Sequence, residues 1–132
     1  MTIKLNKSET GQYRQTLHID EHTVFADVAT SLGGESSAPD PHDFYDAALA
    51  ACKAITLMMY AKRKNMPLQG VDVDISRDTS QETQGEYVLN CELHLRGDLT
   101  AEQRVALFAI ADKCPIHKLM TSATTVVKTH YK

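Results

Sequence analysis

One stretch constrains the fold more than any other. It is a long helical period with a start and a stop signal, set between segments of strand period. Asp40 stands as an N-cap, Pro41 fits the first helical position and Asp43 lies three residues after the cap. Apolar residues then recur at Phe44, Ala48, Ala51, Ile55, Met58 and Met59, a spacing that predicts a helix to about Asn65. Lys62, Arg63 and Lys64 fall in its last turn, where the helix dipole favours cations, and Pro67 follows as a stop.

The segments around this helix have a different period. Residues 12–19 and 22–29 read as two short strands joined by a hairpin through Asp20-Glu21. The Gly-, Ser- and Pro-rich stretch 31–41 reads as a loop. Beyond the helix, Val71, Val73 and Ile75 alternate with Asp72, Asp74 and Ser76. Tyr87, Leu89, Cys91, Leu93 and Leu95 then share one strand face, opposite Val88, Asn90, Glu92, His94 and Arg96. Thr100 and Gln103 form a capping box that starts a helix over 101–113. Pro115 interrupts it, because the residue before a proline is pushed away from helical angles. A last strand is expected over 125–131. The order of elements predicts an α+β fold with mostly antiparallel pairing, and the 132 residues predict a single domain spanning 1–132.

Composition narrows the function classes. Fourteen Lys and Arg against seventeen Asp and Glu leave a net charge of −3. That gives no footprint for a nucleic acid and no polybasic membrane patch. The longest apolar run, 47–60, is broken by Lys53 and falls well short of the ~20 residues a bilayer needs. The first residues have no apolar core and read as mature protein, so a cytoplasmic location is the default expectation.

Chemistry can reside in the three cysteines. An odd count without an export signal argues against a disulfide scaffold, and no C-x-x-C pair suggests structural zinc. The histidines show no metal-binding spacing, and no cofactor motif is present. The cysteines are either buried fillers or a thiol site assembled in space. Cys114 has the better local case for a reactive thiol. If Pro115 opens a short helix, Cys114 is its N-cap, with Lys113 before it and His117 within one turn. Cys114 also fits a plain helix end. Cys52 lies about 16 Å into its helix, beyond the reach of the dipole, and suits a small hydrophobe on an Ala-rich stripe. Cys91 sits mid-strand among leucines, where packing is the simpler role.

Two segments carry a family resemblance. The run from Ala38 through Asp43, Cys52 and Lys64 to Val71 resembles the central helix of the OsmC/Ohr family, the osmotically inducible and organic hydroperoxide resistance proteins. Gly97 to Arg104, followed by Ile110-Ala-Asp-Lys-Cys114-Pro-Ile-His117, resembles its second cysteine segment. The resemblance implies antiparallel sheets wrapped around central helices in an intertwined homodimer. It implies a thiol peroxidase acting on organic hydroperoxides, with Cys52 as the peroxidatic thiolate and Cys114 as the resolving thiol. The resulting disulfide would be reduced by a dithiol such as a lipoylated protein. No cofactor is implied.

The resemblance places the attack on Cys52, whereas local sequence favours Cys114 as the more ionised thiol. In the peroxidase branch an arginine stabilises the thiolate and the glutamate of an Asn-Pro-Glu motif holds that arginine. Here His42 and Asp43 occupy that region, closer to a less characterised OsmC-like redox branch. By the resemblance Asp43 takes the place of the glutamate, and Arg14, on the first long strand, is either the arginine's counterpart or a plain surface residue. An unbroken helix puts Asp43 about 13.5 Å from Cys52 and on the opposite side, so their cooperation needs a helix break or a bridging arginine. The other function class compatible with these residues is non-enzymatic: a small-molecule-binding or redox-sensing protein that keeps the fold without turnover.

Overall fold

The structure, a computed structural model, describes residues 1–132. It is α+β, with a three-stranded and a two-stranded antiparallel sheet. The chain divides into two compact units, Met1–Asp46 and Ala47–Lys132.

The first unit holds strands β1 (Ile3–Lys7), β2 (Gln15–Ile19) and β3 (His22–Ala26), in the order β1-β2-β3. The β2–β3 hairpin pairs Ile19 with His22 and Gln15 with Ala26. Its turn is made by Asp20 at φ 53°, the left-handed region that Asp tolerates better than most side chains. The hairpin was legible, although both strands are shorter than their sequence signals. β1 was not singled out in sequence, because its five residues are all exposed and none of its apolar positions marks a buried face. Beyond β3, Asp27 is buried and ties the loop together. Its carboxylate accepts from the Val28 N–H at 2.8 Å, the Ser37 N–H at 3.1 Å and the Ser37 hydroxyl at 2.6 Å. The Ser37 hydroxyl and amide, then the Val28 amide, hold this carboxyl down at about 2.

Helix α1 (Pro41–Arg63) starts at the predicted place. Asp40 and Asp43 form a reciprocal cap: the Asp43 N–H donates to Asp40 at 2.8 Å and the Asp40 N–H donates to Asp43 at 3.0 Å. Strands β4 (Leu68–Asp78) and β5 (Val88–Gly97) pair antiparallel, with Val71 opposite Leu95, Val73 opposite Leu93 and Ile75 opposite Cys91. The predicted alternation is the observed one: these residues are half-buried while the polar residues between them face water. Helix α2 (Ala101–Ile110) begins at the Thr100–Gln103 capping box.

The core of the second unit is built where these elements meet. Leu57 and Ala61 of α1, one turn apart, pack with Leu107 of α2 and with Ala111, and Val71, Leu93 and Leu95 close over them from the sheet. Leu57 and Leu107 have no exposed surface. Alanine at 61 and 111 lets the two helical segments approach closely, as small residues do wherever backbones must come near.

Two expectations need correction. The second helix ends at Ile110 and not at Lys113; Ala111–Lys113 tighten into a 3₁₀ turn, since Cys114 before Pro115 is extended at ψ 146°. The strand expected over 125–131 does not form. Residues 123–132 have no regular structure, and Val126 and Val127 are exposed. β-Propensity there meets no ladder partner, and a strand is stable only when paired.

Candidate active site

Pro115 opens helix α3 (Pro115–Thr121), and Cys114 is its N-cap. The sequence signal for this cap was therefore sound. The His117 N–H donates to Cys114 Sγ at 3.4 Å, and the neighbouring Ile116 N–H donates to Cys52 Sγ at 3.5 Å. Two successive amides of one turn thus point at two different sulfurs, one from α3 itself and one from α1.

Adjacent amides of one turn hold the two sulfurs side by side, and the Cys52 thiol acts on the ionisation of Cys114. On its other side, Cys52 Sγ lies 3.9 Å from Thr56 Oγ1, one turn along α1. Both cysteines are free thiols, Cys114 buried and Cys52 half-buried. Cys91, mid-strand in β5, is in no disulfide and is half-buried.

The ionisation inferred for Cys114 from local sequence is opposed by its surroundings. Burial pushes its thiol up from the ordinary value. The His117 amide pulls the other way, the Cys52 thiol adds to the rise, and the Lys53 ammonium opposes it. The N-cap geometry is present, but desolvation outweighs it. A buried Cys114 that holds its proton suits the second step of a two-thiol reaction better than the first.

Sequence reasoning missed the charged group closest to this site. Lys53 follows Cys52 on α1, and its side chain is 3% exposed. Its ammonium donates to the Ala111 carbonyl at 3.0 Å, to Asp112 Oδ1 at 3.1 Å and to His117 Nδ1 at 3.0 Å. All three of its protons have an acceptor. Lysine only donates, so in this contact His117 Nδ1 is the acceptor. The available signal was the lysine itself. A cation in the middle of an apolar helical run must find buried partners, and it directly follows a cysteine.

Asp43 and Arg14 belong to the first unit, where each has partners. Asp43 takes part in the cap described above. Arg14 donates to the Ser37 carbonyl at 3.2 Å and to the Ser37 hydroxyl at 2.9 Å, and its guanidinium lies 4.2 Å from the centre of the Phe25 ring. Through Ser37 it joins the network that holds the Asp27 carboxylate. α1 is unbroken from Pro41 to Arg63, so the helix break considered for Asp43 is absent. No three His, Cys, Asp or Glu side chains are grouped so as to hold a metal ion, and no helix is long and apolar enough to cross a membrane.

Comparison with known proteins agrees with this fold. The family described as OsmC-like protein matches residues 33–129. Among solved structures, an OsmC-like protein from Mycoplasma pneumoniae superposes with a TM-score of 0.71 at 20% identity, over 92% of this chain and 86% of that one. An organic hydroperoxide resistance protein from Legionella pneumophila gives 0.63 at 20% identity, over 92% and 90% of the two chains. The organic hydroperoxide resistance protein OhrB of Bacillus subtilis gives 0.62 at 20% identity, over 92% of each chain. No curated protein matches the sequence. At such identities the solved structures share the fold.

Proposed function

The chain belongs to the OsmC family, and from that premise we propose that it is a thiol-dependent peroxidase that reduces organic hydroperoxides to alcohols. The observation that supports this reading is that two successive amides of one turn reach the two sulfurs, Ile116 N–H to Cys52 Sγ at 3.5 Å and His117 N–H to Cys114 Sγ at 3.4 Å. Disulfide formation needs Cα atoms within about 7 Å, and sulfurs held by adjacent amides of one turn are placed for that approach.

The chemistry follows from the two environments. Cys52, half-buried and reached by the Ile116 N–H, is the sulfur a substrate meets first. Its thiolate attacks the terminal peroxide oxygen, and the O–O bond breaks. The alkoxide takes a proton and leaves as ROH, and Cys52 becomes a sulfenic acid. Cys114 then gives up its proton and attacks the Cys52 sulfur, forming the disulfide and releasing water. A dithiol such as a lipoylated protein returns both cysteines to thiols and becomes a disulfide itself. Arg14 and Asp43 keep the thiolate-tuning roles that the resemblance gives them; with α1 unbroken, only the bridging-arginine arrangement is left to Asp43.

The same reading includes a single OsmC-like domain, a cytoplasmic location and a homodimer. The homodimer is supported by apolar side chains turned to water. Ile55 and Met59 lie one turn apart on α1, and Val105 and Phe108 one turn apart on α2, each at 59% exposure or more.

The test is consumption of cumene hydroperoxide and hydrogen peroxide with a dithiol reductant, on the wild type, Cys52→Ser and Cys114→Ser. Turnover that prefers the organic peroxide and vanishes in Cys52→Ser is expected. Absence of turnover with both thiols intact and reduced would leave the fold without the chemistry.

A further inference from the structure

Lys53 has no part in the reaction outlined above, yet it is the most deeply buried cation near the thiols. Its position is unusual in one respect. It sits next to Cys52 in sequence, while its three acceptors bracket Cys114: the Ala111 carbonyl and Asp112 lie three and two residues before it, and His117 lies three residues after it. One side chain of α1 therefore ties both flanks of the Cys114 turn to the helix that carries Cys52. Of its three acceptors, Asp112 is 78% exposed and His117 29% exposed, so water screens the partner that carries the negative charge.

We propose that Lys53 is a positioning residue for the resolving cysteine, clamping the Cys114 turn against Cys52 and supplying positive charge beside the Cys114 sulfur when the disulfide closes. The proposal rests on the reading of Cys114 as the resolving thiol. It concerns the second step and leaves the first to Cys52. The clamp and the charge act together. A neutral side chain of similar length would lose the Ala111 and His117 bonds, and with them the hold on both sides of the turn. The groups that face Cys114 are few: Cys52 and Lys53 from α1, and His117 from its own helix, with Asp112 reaching it through Lys53. Lys53 is the cation among them, and Asp112 draws part of its field away.

The second step can be watched without a peroxide. In a Cys91→Ala background, 2,2′-dithiodipyridine reacts first at Cys52, releasing one thione and leaving a mixed disulfide. Cys114 then loses its proton to buffer and attacks the Cys52 sulfur, releasing the second thione. Two thiols are oxidised as one reagent disulfide is reduced to two thiones. In this background Cys114→Ser should release one thione only.

Lys53→Met is expected to slow the second release roughly threefold or more, because the turn loses its hold on both sides and the Cys114 sulfur loses its nearby cation, and to leave the first release within about twofold of the parent. Lys53→Arg should restore part of the second rate, because it keeps the charge. Asp112→Asn removes an exposed carboxylate that competes for the ammonium, and it should speed the second release. Equal rates in Lys53→Met and the parent would overturn the proposal, and so would a slower second release in Asp112→Asn. Should Lys53→Met fail to fold, Asp112→Asn decides the matter alone, since a purely structural lysine predicts no acceleration there. The peroxidase reading fails separately. Loss of peroxide turnover with a Lys53-dependent second release would sink that reading and keep the clamp.

Discussion

The Lys53–Asp112 pair joins one of the most buried side chains of the molecule to one of the more exposed, and its energy can be bounded in advance. Nζ and Oδ1 are 3.1 Å apart. At that separation two unit charges attract by about 1.3 kcal/mol in bulk water and by about 5 kcal/mol at an effective dielectric of about 20. The ammonium end is 3% exposed and the carboxylate 78% exposed. Water around Asp112 screens the pair, so its coupling should lie near the lower bound, at about 1–2 kcal/mol. A double-mutant cycle of Lys53→Met, Asp112→Ala and the double variant measures it, with urea unfolding followed by far-UV circular dichroism at fixed protein concentration. The single variants should differ. Asp112→Ala leaves the ammonium two neutral acceptors and should cost about 1–2 kcal/mol, little more than the coupling itself. Lys53→Met orphans the Ala111 carbonyl and His117 Nδ1 and should cost about 2–4 kcal/mol. About 0.5 M salt should weaken the coupling but not the whole cost of Lys53→Met, because the hydrogen bonds to neutral acceptors are not screened. A coupling above about 3 kcal/mol, insensitive to salt, would mean that Asp112 is held out of water, and the charge balance assigned to the Cys114 turn would be wrong.

Three further outcomes follow from other parts of the molecule. Thr100→Ala removes the hydroxyl that accepts from the Gln103 N–H at 3.1 Å and should cost about 1 kcal/mol in urea unfolding, with Thr100→Asn close to wild type. Asp27 carries its carboxyl at about 2 when folded, against 3.8 ordinarily. Its contribution is therefore present above pH ~4 and is lost as pH falls towards 2, and Asp27→Asn should flatten the fall of melting temperature across that window. Gly97 sits at φ +145° with the Pro67 carbonyl against the place of a Cβ, so Gly97→Ala should cost about 1–3 kcal/mol, read as a lower urea midpoint with an unchanged slope.

The fold was legible wherever a segment carries its own reason for its shape. α1 is bounded by a cap and a proline, α2 by a capping box, and the β4–β5 hairpin by an alternation that continues through Val71 to Ile75 and Leu89 to Leu95. Failures came where shape depends on something outside the segment. β1 has no buried face to announce it. The tail after Thr121 has strand-forming valines, but a valine forms a strand only if a ladder is offered, and the sequence does not say whether one is.

The site divides along the same line, and the division explains why local sequence alone misjudges the Cys114 thiol. The Cys114 cap is local: Pro115 fixes the turn, and the His117 amide arrives at the sulfur because the backbone has nowhere else to go. The environment of that sulfur is not local. Leu57 and Leu107, far apart in sequence, close the core beside which residues 111–114 lie, and burial then raises the thiol that the cap alone would lower. Lys53 shows the converse. Read along the chain it only interrupts an apolar run, and an interruption of that kind usually marks a solvated edge. A lysine whose neighbours on the helix face include Leu49 and Leu57, both buried, has no solvated edge available and must bring its charge to acceptors supplied by another segment. Those acceptors are Ala111, Asp112 and His117, which flank the second cysteine. An ammonium that requires those partners makes the meeting of Cys52 and Cys114 depend on the same packing that buries Lys53. Whatever loosens the 111–117 turn should therefore separate the thiols before it unfolds the helices.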